Sequence, residues 1–178
     1  MSRIGKLPIE IPSSVKVIIE GAKVKVEGPK GKLEQTFDDV VTILQEDSQV
    51  VIQPKGKSRY ARAMHGTVCS IIRSMVAGVQ KPFLKELEIV GVGFKASISA
   101  NVLDLNLGYS HPIHYAIPQG ATVSTPDATK IRVESPSKFL TGQIAADIKR
   151  YYPVEPYKGK GVKIVGEFVR RKEGKKTS

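Results

Sequence analysis

Strand-like alternation that gives way to a helical period occurs twice in this 178-residue chain. A sequence written twice in this way must bury two similar cores rather than one, and this restricts the fold more than any other feature. In the first half Val15, Val17 and Ile19 alternate with Lys16 and Ile18, and Val24 and Val26 alternate with Lys23, Lys25 and Glu27. Gly28 to Gly31 (GPKG) reads as a turn, after which Leu33, Gln35 and Phe37 resume the alternation. Val41 to Leu44 and Gln49 to Gln53 make a hairpin around Glu46-Asp47-Ser48. From Ser58 the period changes: Ala61, Met64, Val68, Ile71, Ile72, Met75 and Val79 recur at helical spacing, with Ser58 as N-cap and Pro82 as stop.

The second half repeats the plan. Leu87, Ile89, Gly91 and Gly93 open a strand, and Val102, Leu103, Leu105 and Leu107 form the next. Thr122-Val123 and Ile131 to Val133 flank a turn at Thr125-Pro126-Asp127, and Ser135-Pro136 reads as a cap with proline at the first helical turn. Leu140, Ile144 and Ile148 then make an apolar stripe, with Ala145 beside them. Gly66, Val68, Ile72 and Arg73 correspond to Gly142, Ile144, Ile148 and Lys149 at a constant offset of 76, and Asp47 corresponds to Asp127 at 80. A glycine inside a helix costs about 1 kcal/mol relative to alanine, so the paired glycines suggest close approach of helix to sheet. The expected fold is α+β, with two tandem duplicated domains, each an antiparallel sheet with one helix on one face, and a basic C-terminal extension. The expected domains are 1–81 and 82–178, with the basic tail starting at about 153.

Charge separates the halves. Residues 1–81 carry a net +5, residues 82–148 a net −1, and residues 149–178 a net +7. A basic end on a nearly neutral domain points to docking on a polyanion, though a solvated tail would look similar. No apolar run exceeds Ile89 to Phe94, far short of the roughly 20 residues a membrane helix needs. The N-terminus has neither a signal core nor transit character, so a soluble intracellular protein is expected.

No arrangement of catalytic or metal-ligating residues stands out. His65, His111 and His114 are scattered, and the last two fall at opposite strand parity, which would put them on different faces. The lone Cys69 borders the helical stripe and reads as a small core residue. Gly56-Lys57-Ser58 lacks the first glycine of a phosphate loop, since Val51 stands there. Gly91-x-Gly93-x-x-Ala96 runs into an alternating strand instead of opening a helix, which argues against a dinucleotide fingerprint. No enzyme, metal, cofactor or small-molecule substrate is expected.

The segment KRYYPVEPYKGKGVKIVGEFVRRKEGKKTS carries the functional signal. Pro153 and Pro156 end the helix, and Gly159 and Gly161 alternate with Lys158, Lys160 and Lys163. Glycine lets backbone N–H groups approach phosphates, lysine adds mobile positive charge, and an aromatic such as Tyr157 can stack on bases or ribose. Tyr151 and Tyr152 read equally as core packing. Arg170, Arg171, Lys172, Lys175 and Lys176 form a terminal cluster expected to order only when bound. A second basic face on the first helix, Arg59, Arg62 and Arg73 with Gly66 and Ser70, could meet RNA or a protein neighbour, or simply be solvated.

MSRIGKLPIEIP at the start, the paired domains, and EPYKGKGVKIVGEFVRRKEGKK at the end together resemble the bacterial-type large-subunit ribosomal protein six family. Val154 departs from the family, which usually has proline or serine there, and leaves every basic and glycine position intact. The resemblance implies a structural constituent of the large ribosomal subunit. It would bind 23S-type ribosomal RNA mainly through the C-terminal domain, near the base of the stalk and factor-binding region. Tyr157 to Gly161 and Lys163 would touch RNA, and the Arg170 to Lys176 cluster would thread along it. Neighbouring ribosomal proteins are implied partners, in the cytoplasm or in an organelle with its own ribosomes. The competing reading of the residues is a DNA-associated architectural protein.

Overall fold

The computed structural model describes residues 4–5, 7–46 and 48–174. They form two compact units, one running up to Pro82 and taking in Pro136–Lys138, the other made of Phe83–Ser135 and the described chain from Phe139 onward. The first unit holds β1 (Ile9–Glu10), β2 (Lys16–Glu20), β3 (Lys23–Gly28), β4 (Gly31–Thr36), β5 (Val41–Glu46), β6 (Gln49–Pro54) and α1 (Arg59–Gln80). The second holds β7 (Phe83–Val90), β8 (Lys95–Ser99), β9 (Val102–Asn106), β10 (Ile113–Ala116), β11 (Thr122–Asp127), β12 (Lys130–Ser135), α2 (Lys138–Tyr151) and β13 (Gly161–Ile164).

The duplication is explicit in the strand order. Each unit divides its strands between two antiparallel ladders: β1-β6-β5 and β2-β3-β4 in the first, β7-β12-β11 and β8-β9-β10 in the second. β13 has no counterpart in the first unit and lies on the remaining edge of β7. Among the described residues no helix is long and apolar enough to cross a membrane.

Local chemistry explains the first unit. Val17 pairs with Val26 and Ile19 with Val24, so the period-2 residues line one face, and Val24 and Val26 are fully buried. The Ser58 hydroxyl accepts from Ala61 N–H at 3.0 Å and caps α1. Lys81, forced extended by the following proline, ends it. Val68, Cys69, Ile72, Met75, Val76 and Val79 are buried along α1, whereas Ile71 turns outward at the stripe's border. Burial pushes the Cys69 thiol above its ordinary value, in keeping with a core role. We expect Ser58→Ala to destabilise the first unit by about 1 kcal/mol, read as a lower denaturant midpoint at constant slope.

Several boundaries depart from the sequence reading. β7 ends at Val90, and Gly91 and Gly93 form the turn before β8 rather than part of the strand. A Cβ on Gly91 would lie 2.4 Å from the Phe94 ring, and Gly93 has φ +77°, so both glycines serve a tight turn that folds Phe94 back. The turn between β11 and β12 falls at Ala128-Thr129, because the strand continues through a bulge between Ser124 and Asp127. Pro126 lies inside that bulge, where a residue without an N–H is tolerated. Asp47, which the sequence pairs with Asp127, lies outside the described residues. Ser135 does not cap α2: it closes β12 and donates its hydroxyl to the Gly120 carbonyl at 2.7 Å, and the helix starts at Lys138, after Ser137. Gly142 faces open space on an exposed surface, so it does not mark close helix–sheet approach. The close approach is made by Gly28, where a Cβ would stand 2.8 Å from the Val79 side chain.

Candidate nucleic-acid interface

The C-terminal segment is built into the second unit rather than appended to it. Val162 is completely buried with Leu87, Ile89, Ile144 and Ile148. β13 pairs with β7 in the register Gly161↔Val90, Val162↔Ile89, Lys163↔Glu88 and Ile164↔Leu87. Its outer edge is occupied by its own chain: Val162 N–H donates to the Tyr152 carbonyl at 2.9 Å, and Glu167 reaches Ile164 N–H at 3.4 Å. An edge closed in this way offers no template to another strand. The strand was legible, since Val162 and Ile164 alternate around Lys163, but the basic residues around it drew the reading toward an extended tail.

Between α2 and β13 the chain makes a loop closed by Glu155 N–H to the Lys160 carbonyl at 2.9 Å. Downstream, Lys172 N–H donates to the Pro156 carbonyl at 2.8 Å, so the chain returns along this loop. The Arg171 guanidinium lies 3.3 Å from where a Gly159 Cβ would stand. The fold thus gathers Tyr157, Lys158 and Lys160 with Arg171 and Lys172, and Arg170 is exposed on the same returning segment. None of the side chains of Lys158, Lys160, Arg170, Arg171 and Lys172 forms an ion pair among the described residues. Of the segment's three acids, Glu167 is bonded to Lys149, while Glu155 and the exposed Glu173 form no ion pair among the described residues. The Lys149 ammonium holds the Glu167 carboxyl below the usual carboxylate range. That latch is therefore in place at neutral pH and is lost as falling pH protonates the carboxylate.

Other candidate residues sit differently from the sequence reading. Gly159 (φ +73°) and Gly161 (φ +134°) are buried, and their lack of a side chain serves the chain's own turn and packing. Lys163 bonds Glu88 at 3.0 Å on the sheet, and its charge is already met. On α1, Arg59 and Arg62 are exposed, while Arg73 is half-buried and reaches the Leu7 carbonyl at 3.5 Å. Among the described residues Arg59 and Arg62 form no ion pair, while Arg73 is turned to its own chain. Lys175 and Lys176 lie outside the described residues. Tyr157 is 57% exposed, free to stack on a partner.

One cross-strand pair escaped the sequence reading. His114 stands opposite Asp104, with Nδ1 2.5 Å from Oδ1. Bonds from His114 and Ser99 hold the Asp104 carboxyl below its ordinary value. Both donors converge on the carboxylate, so the imidazole does not lie between serine and aspartate as nucleophile activation requires. Among the described residues no three His, Cys, Asp or Glu side chains gather where they could hold a metal ion.

Fold and surface together define a class: a duplicated α+β protein whose second copy carries a structured basic loop, its cations in no ion pair among the described residues. The family model for Ribosomal protein L6 matches residues 11–82 and 90–164, one match in each copy. The chain belongs to the ribosomal protein L6 family. It is 54% identical to the large ribosomal subunit protein uL6 of Opitutus terrae, over 98% of both chains. It is 52% identical to the protein of that name from Akkermansia muciniphila, over 98% of both. With that from Hydrogenovibrio crunogenus the identity is 49% over 99% of both.

Proposed function

We propose that this chain is a structural constituent of the large ribosomal subunit that binds and stabilises large-subunit ribosomal RNA. As a member of the L6 family it is a structural ribosomal protein rather than an enzyme. The observation that carries the binding mode is the loop where Lys158, Lys160, Arg171 and Lys172 converge with no ion pair among the described residues. Charge gathered in this way binds a polyanion by releasing its condensed counterions. We assign the RNA contact mainly to residues 82–178, with Tyr157 available to stack, and place the protein near the base of the stalk and factor-binding region. Ribosomal proteins are its other neighbours, and the ribosome in the cytoplasm is its place of action. Deep, narrow A-form major grooves keep side chains from the bases, so recognition here reads RNA shape and phosphate positions.

Sucrose-gradient sedimentation of the tagged full chain from lysate tests the assignment. Near-stoichiometric recovery in the large-subunit peak after a high-salt wash is the expected result. Recovery in the light fractions, or equal competition by duplex DNA, would overturn it.

A further inference from the structure

A second feature of the C-terminal unit is an aromatic cleft that nothing in the fold requires to be exposed. Tyr109, His111, Pro112, Ile113, His114 and Tyr151 line it. His111 precedes β10, so strand parity does not govern it, and it shares this cleft with His114 instead of facing away. Tyr109 is 47% and Tyr151 36% exposed.

These rings are fixed. The Tyr109 hydroxyl donates to the Tyr151 carbonyl at 2.9 Å. Its ring rests on Tyr152, with centroids 5.7 Å apart, and Tyr152 meets Phe94 edge-on at 5.2 Å. Phe94 in turn lies where Cβ atoms on Gly91 and Gly108 would be, at 2.4 and 2.9 Å, so glycines make room for the base of this column. Tyr115 meets Tyr151 edge-on at 6.4 Å, and His111 lies nearly parallel to Tyr109, with 26° between planes. A column of rings thus runs from the core to an open aromatic face that is already ordered before anything binds.

We propose that this cleft takes an unpaired nucleobase of RNA, stacked on Tyr109 and bordered by His111 and Tyr151. The proposal rests on the RNA-binding function proposed above and adds a base-stacking contact to its phosphate contacts. The Tyr109 hydroxyl is already spent on Tyr151, so the residue offers a ring face, which is what a base of any identity requires. Arg150, the residue before Tyr151 on α2, is exposed. The nearby carboxylates are engaged, Asp104 by His114 and Ser99, and Asp147 by Gln143 and Tyr115. Six lining residues make a cleft for one planar group, not a groove for a helix.

The test uses the full chain bound to full-length 23S-type ribosomal RNA. Short-wave irradiation, followed by peptide mapping, should give nucleotide adducts at Tyr109, His111 or Tyr151 in addition to those in the Tyr157 loop. The Tyr109→Leu/His111→Ala variant should bind about fivefold or more weakly, with the salt slope unchanged, because stacking releases no counterions. Adducts confined to the Tyr157 loop, or wild-type affinity in the variant, would overturn the cleft while leaving the phosphate-binding loop intact. Loss of RNA binding by the unaltered chain would overturn both. The adduct measurement needs no variant, so it decides even if the double substitution unfolds the unit.

Discussion

Replacing Lys158, Lys160, Arg171 and Lys172 together with alanine should flatten the salt dependence of RNA binding while leaving the fold unchanged. These side chains form no ion pair among the described residues, and the loop is held by backbone bonds from Glu155 to Lys160 and from Lys172 to Pro156. Each phosphate neutralised on a duplex contributes roughly 0.9 to the log–log slope, so four lost contacts reduce it by about 3.6. Between 50 and 200 mM salt the unaltered chain should then lose roughly a hundredfold more affinity than the variant. Filter binding across a salt series, with circular dichroism as the check on folding, reads both quantities. An unaltered slope would remove the loop from the interface. Lys163→Ala is the informative contrast. It frees Glu88 from its 3.0 Å partner and should leave the slope nearly unchanged.

Gly161→Ala should damage the second unit far more than its single methyl suggests. At φ +134° an alanine is strained, and its Cβ would lie 2.8 Å from both the Pro153 carbonyl oxygen and Val154 Cα. Both obstacles are backbone, so neither can swing aside as a side chain could. Strain of this kind costs about 1–3 kcal/mol before the clash is added. A change of that size lowers the melting temperature of a domain this long by roughly 10 °C or more. Gly142→Ala should do the opposite. It sits in a helix, faces open space, and should stabilise by up to about 1 kcal/mol. Differential scanning calorimetry of the two variants separates them by sign. A Gly161→Ala protein that melts like the parent would show that β13 does not hold the unit together.

What the sequence disclosed and what it withheld follow the range of the interactions involved. Ser58 and Pro82 act on their own helix within a few residues, and α1 lies where they place it. The alternation of Val24 and Val26 is likewise local, and both are core residues. Ser135 misled because its hydroxyl bonds Gly120, fifteen positions away, a partner that no capping pattern contains. The same holds for the candidate site. Charge and composition located the basic segment, but not which cations remain unmatched. Glu88, which meets Lys163, comes from β7, and the Leu7 carbonyl, which meets Arg73, lies 66 residues away. His111 and His114 came together because β10 starts only at Ile113, a boundary invisible in the spacing of two histidines.

The second copy adds β13 to the shared plan, and that strand ties two equilibria together. Val162 seals the core only two residues after Lys160 offers its charge to a partner. A ligand that grips the loop also grips the strand, so its binding free energy enters the stability of the second copy as RT ln(1 + [L]/Kd). The first copy has no such strand and gains nothing by this route. Occupancy therefore acts as a staple on one half of a duplicated molecule, and conditions that loosen the loop's grip reach the hydrophobic interior of that half through four residues of backbone.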